Sequence, residues 1–170
     1  VNPYMPIPAG VMLSARMASP IFGLGLLEAI DEFSILEKAD EFDTNGDGIS
    51  GKPNYGFDVQ SQTTKLGRFG WKAAQPSIIQ QSAGAYVEDM GITNMIFKTE
   101  SSYGQSQYDK TDDGSELGDS TLFAVAYYIK TLAVPGRREA NDITVQNENK
   151  IFKATGCANR HVRKYITKTD

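Results

Sequence analysis

The chain has 170 residues, 40% hydrophobic and 22% charged, with a net charge of −4. That size suits one ordinary domain or one and part of a second, and that balance excludes a disordered chain. An acidic chain with one cysteine and one histidine also excludes an electrostatic nucleic-acid binder, a disulfide framework and a multi-cysteine zinc site.

Residues 1–20 carry four prolines and little periodicity, which predicts an extended arm. Ile21–Ile30 is strongly apolar, and Gly23 and Gly25 within it let another surface approach closely. Ser34–Glu41 is expected to form a short amphipathic helix with Ile35, Leu36 and Ala39 on one side. Asp43–Asn54 is rich in turn formers, and Gly67–Gln75 is a second irregular stretch. A helix is predicted over Pro76–Met90, with proline in its first turn and Gly91 as its C-cap. Ile78, Ile79, Ala83, Tyr86 and Val87 would form its buried face.

Lys98–Gly114 is polar and reads as an exposed loop. The best helix runs from Ser120 to Val134, capped by Asp119 or Ser115 and halted by Pro135. After Gly136-Arg137-Arg138, Asp142 would cap a last helix, with Val145, Ile151 and Phe152 as its buried stripe and Gly156 ending it. No apolar run approaches the ~18–20 residues of a membrane span; the longest, Leu122–Ile129, stops at Lys130. Val1-Asn2-Pro3-Tyr4 has neither methionine nor the basic and apolar pattern of a signal peptide, so it need not be the natural start.

Charge is unevenly placed. Glu28 to Asp58 holds nine acidic residues against two lysines, whereas Arg137 to the end holds eight basic against four acidic. That tail would face solvent, an acidic partner or haem propionates. The chain's only cysteine and only histidine also lie in it, in Gly156-Cys157-Ala158-Asn159-Arg160-His161. Covalent haem attachment uses C-x-x-C-H, in which two thiols join the haem vinyl groups and the histidine coordinates iron. Cys157 and His161 keep that spacing, but Arg160 stands where the second cysteine would be.

Five blocks in one order are similar to the di-haem oxidoreductase family of cytochrome c peroxidase type, also called thiol oxidoreductases. They are Ser14-Ala15-Arg16-Met17-Ala18 with Gly23–Ile30; Asp47-Gly48-Ile49-Ser50-Gly51; Gly67–Ala73; Asp89-Met90-Gly91-Ile92-Thr93; and Tyr128 with Leu132-Ala133-Val134-Pro135 and Arg138. The resemblance implies two C-x-x-C-H sites, one before the first block and one after Leu-Ala-Val-Pro. The chain would then start beyond the first site and end just inside the second. It implies a mainly α, loop-rich, incomplete fold of c-type cytochrome or di-haem peroxidase character. Residues 1–136 would be one helical, loop-rich unit, and 137–170 the opening of a haem domain. A periplasmic or secreted electron-transfer protein is implied, with haem c on Cys157 and His161 and an electron-donor protein or small redox partner.

Asp43-Thr44-Asn45-Gly46-Asp47-Gly48-Ile49 spaces oxygen side chains at alternate positions before a glycine. With the Ile49 carbonyl, Asp43, Asn45 and Asp47 would supply about four of the six to eight oxygens Ca²⁺ takes. Gly51 and Asn54 replace the later EF-hand ligands, so Asp58 or water would complete the shell. The pattern is closer to thrombospondin-type calcium loops, with weak affinity expected.

In Gly67–Ala73, Arg68 or Lys72 would pair with propionates and Trp71 would carry electrons, or Trp71 is a core residue in a tight turn. Met5, Met12, Met17, Met90 and Met95 are candidate sixth iron ligands or packing residues. No G-x-S-x-G elbow and no G-x-x-x-x-G-K phosphate loop is present. The leading functional expectation is electron transfer, with peroxidase chemistry in the intact protein. The alternative is a non-redox, calcium-stabilised binding module without haem.

Overall fold

The computed structural model describes residues 6–7, 9–106, 108, 110–111 and 114–167. Among these residues six α-helices and one hairpin follow in order: α1 Leu24–Glu28, α2 Glu32–Leu36, β1 Tyr55–Asp58, β2 Thr63–Leu66, α3 Ile78–Met90, α4 Asp119–Thr131, α5 Ile143–Ala154 and α6 Cys157–Arg160. The mainly α expectation holds in part. Helix covers about a third of the chain, and an antiparallel hairpin, with Tyr55 opposite Leu66 and Asp58 opposite Thr63, stands beside the helices. No helix among the described residues is long and apolar enough to cross a membrane.

The core lies between α3 and α4. Phe69, Ile78 and Ala126 form one buried cluster and Ala83, Ile96 and Leu122 another. Fully buried Asn94 ties the segment after α3 back to it, donating to the Ala83 carbonyl and accepting from the Ile96 and Phe97 N–H groups. These bonds satisfy polar groups that would otherwise be costly to bury.

The short α1 crosses the end of α4. A Cβ at Gly25 would fall on the Lys130 carbonyl, so the expected close approach is real. At the same junction Glu28 accepts from the Ile78 N–H at 2.9 Å and pairs with Lys130 at 2.7 Å. One carboxylate thus joins α1, α3 and α4.

Several boundaries differ from expectation for local reasons. α2 starts earlier and ends at Leu36, because Asp31 caps it by accepting from the Phe33 N–H. α3 begins after Ser77, whose hydroxyl accepts from the Gln80 N–H, leaving Pro76 outside the helix. Gly91 closes it in the left-handed conformation, as expected. α4 has Gly118 as N-cap without a side-chain bond and ends at Thr131. Leu132 turns to extended backbone, and its carbonyl accepts from the Gly23 N–H.

Asp142 caps α5 as expected, accepting from the Thr144 and Val145 N–H groups. The Thr144 N–H also holds its carboxyl below the usual range. The predicted buried stripe is not buried. Ile151 is 60% exposed and α5 has no buried residue, because its main packing partner is the short α6.

The hairpin carries a pH-dependent contact. Asp58 is 4% exposed, pairs with Lys65 and accepts from the Gln60 and Ser61 N–H groups. The Lys65 bond holds its carboxyl below the usual range, against the opposing effect of burial. A carboxyl lowered in the folded state stabilises fully above its unfolded value and loses that contribution as pH falls through the folded one. Asp58→Asn is therefore expected to melt lower at neutral pH and to lose less stability on acidification to about pH 3, as thermal melts across pH will show.

Candidate functional site

The Cys–His turn is built by the end of α5. Gly156, at φ 78°, takes the left-handed conformation and redirects the chain into α6. The His161 N–H donates to the Cys157 carbonyl at 2.9 Å, so thiol and imidazole flank a single helical turn. Cys157 is free and exposed, with Sγ 3.3 Å from the Thr155 hydroxyl. The His161 ring lies 6.0 Å from that of Phe152, tilted by 47°. Phe152 therefore presents the imidazole with an apolar neighbour, the role left to one member of the failed stripe.

Among the described residues His161 borders two clefts. One, toward the Asp-rich loop, is lined by Gly48, Ile49, Ser50, Cys157 and Arg160. The other is lined by Arg137, Glu148, Phe152, Val162 and Arg163. A third hollow sets Arg160 and Asn159 against Asp40, Asn45 and Asp47. The acidic loop and the Cys–His turn, distant in the chain, are thus neighbours. Spacing alone carried no sign of this.

The loop is organised by its own side chains. Asp43 accepts from the Gly48 N–H at 3.1 Å with both oxygens. Asn45 accepts from Asp47 and Asp47 from Ile49, each at 2.9 Å. Asp40 accepts from Thr44 at 2.7 Å, and that bond holds its carboxyl below the usual range. Among the described residues no group of three or more His, Cys, Asp or Glu is placed to hold a metal ion. A calcium cage here would rest on two carboxylates, the Asn45 amide and the Ile49 carbonyl.

The remaining candidates are placed as follows. Arg68 donates to the Leu27 and Ile30 carbonyls at 3.1 and 2.8 Å, where it closes the end of α1. Trp71 is 54% exposed beneath the Arg16 guanidinium, 4.5 Å from the ring centroid, so it is not a core residue. Its turn bends through left-handed Gly70, Lys72 and Ala73, which leaves the ring outside. Met12, Met17 and Met90 are exposed, Met95 packs against the Leu122 cluster, and Met5 lies outside the described residues. Arg137 and Arg163 were not singled out from the sequence; the basic bias of the tail was their only signal.

These residues fit a haem held on one side. The turn offers one exposed thiol and one imidazole, beside an apolar ring and an open cleft. The family model described as "Di-haem oxidoreductase, putative peroxidase" matches residues 7–170. No curated protein and no solved structure matches the chain.

Proposed function

Because this chain belongs to the di-haem oxidoreductase family, we propose that its Cys157–His161 turn carries one haem c and that the protein transfers electrons. The observation that carries this reading is the single turn flanked by the only thiol and the only imidazole. Cys157 would bind through one thioether, and His161 would coordinate iron from one face. Phe152 would orient the imidazole through ring contact. Arg160 offers no thiol, so a second bond would not form at that position.

When bound, the haem supplies one-electron redox chemistry, and in the intact protein peroxide reduction. An electron-donor protein or small redox partner, and a periplasmic or secreted location, belong to the same reading. So does the division into a unit over 1–136 and a haem-type segment over 137–170. The test is expression with the cytochrome c maturation machinery. Wild type is expected to retain haem through acid-acetone extraction, Cys157→Ser to lose it, and His161→Ala to shift the Soret band. Equal retention by wild type and Cys157→Ser would contradict the reading.

Weak calcium binding at Asp43, Asn45, Asp47 and the Ile49 carbonyl is a second reading. It is supported by the folding of all three side-chain oxygens back into one tight loop. Calcium at ~100-fold above its dissociation constant should stabilise the native state by about 2.7 kcal/mol. Identical melting curves in calcium and chelator, unchanged by Asp47→Asn, would end it.

A further inference from the structure

We propose that Arg137 and Arg163 receive the haem propionates, so that the cleft between α5 and the tail takes up the acidic edge of the haem. The inference rests on the haem reading of Cys157 and His161. Of the two clefts described at His161, one passes Arg160 toward the Asp-rich loop and the other leads to these two guanidinium groups. The first cleft offers one guanidinium, Arg160, whereas the second offers two, so a ligand with two carboxylates finds a cation for each only in the second.

The second cleft is also chemically divided as a haem edge requires. Phe152 and Val162 give it apolar wall, and the two arginines give it charge. Among the described residues that line the cleft Glu148 is the one carboxylate, against Arg137 and Arg163. The Arg137 guanidinium is oriented by donating to the Val145 carbonyl at 2.8 Å. A guanidinium has five N–H donors in a planar fork, so that bond leaves others for a carboxylate. Arg163 forms no hydrogen bond or ion pair with any other described residue.

The test titrates the full chain, purified without haem, with hemin and with hemin dimethyl ester, whose propionates are uncharged. Soret absorbance reads binding, and far-UV circular dichroism reads the fold. Both arginines are exposed, so Arg137→Gln with Arg163→Gln should leave the fold intact. Wild type is expected to prefer hemin over the ester by about fivefold, more at low salt. The double variant should lose that preference while binding the ester as wild type does, and Arg138→Gln should keep it.

An unchanged preference in the double variant, with His161→Ala binding poorly, overturns the propionate assignment alone. Equal hemin binding by wild type and His161→Ala overturns the site reading beneath it. No binding of either compound to wild type overturns both.

Discussion

Leu122→Ala is expected to destabilise the protein by about 3 kcal/mol, lowering Tm by about 6–12 °C. Leu122 is 0% exposed and sits with Ala83 and Ile96 in the cluster that joins α3 to α4. Removing its branched end deletes apolar contacts and leaves a cavity that neighbouring helices fill only in part. Ile151→Ala, at a position 60% exposed on α5, should change stability by no more than about 0.5 kcal/mol. Thermal melts of the two variants separate these outcomes. Equal losses would mean that α5 buries its apolar side and that the core is not centred on α4.

Arg160→Cys is expected to add a second thioether to haem attached at Cys157. Bond chemistry makes the argument. Thioether formation needs a thiol at the vinyl group, and a guanidinium offers none. Arg160 also sets a permanent positive charge beside the turn, in the hollow it shares with Asp40 and Asp47. An apolar macrocycle edge near that charge is disfavoured unless a carboxylate pairs with it. In material made with the maturation machinery, the variant should hold more extraction-resistant haem. Its alkaline pyridine α-band should lie at shorter wavelength, because each saturated vinyl group moves it that way. Equal covalent haem and identical spectra would mean that position 160 is not an attachment position, and the match of this tail to C-x-x-C-H would fall.

Local signals were readable wherever a short-range bond decides the structure. Asp142 caps α5 and Gly91 closes α3 because each acts within one turn of the residue itself. The hairpin was not readable. Its strands are four residues each, β1 turns the aromatics Tyr55 and Phe57 outward and Gly56 and Asp58 inward, the reverse of an apolar-inward pattern, and Gly56 is needed there because the Ala74 carbonyl occupies the space of a side chain. That is a tertiary contact, invisible in a local window. The α5 stripe failed for a related reason: its 3.6-residue period was present, but no large element packs against it. For the site, Cys157 and His161 were legible from their spacing. Their meeting with the loop around Asp47, and with Arg137 and Arg163, depends on how distant segments fold together.

The most direct test of the haem assignment is intact-mass and peptide-mapping mass spectrometry of the chain made with the cytochrome c maturation machinery. One covalently bound haem per chain is expected, on the peptide that contains Cys157. Its pyridine α-band should lie between those of haem with no thioether and haem with two. Haem-loaded protein whose Cys157 peptide is unmodified, or an α-band at the two-thioether position, would contradict it.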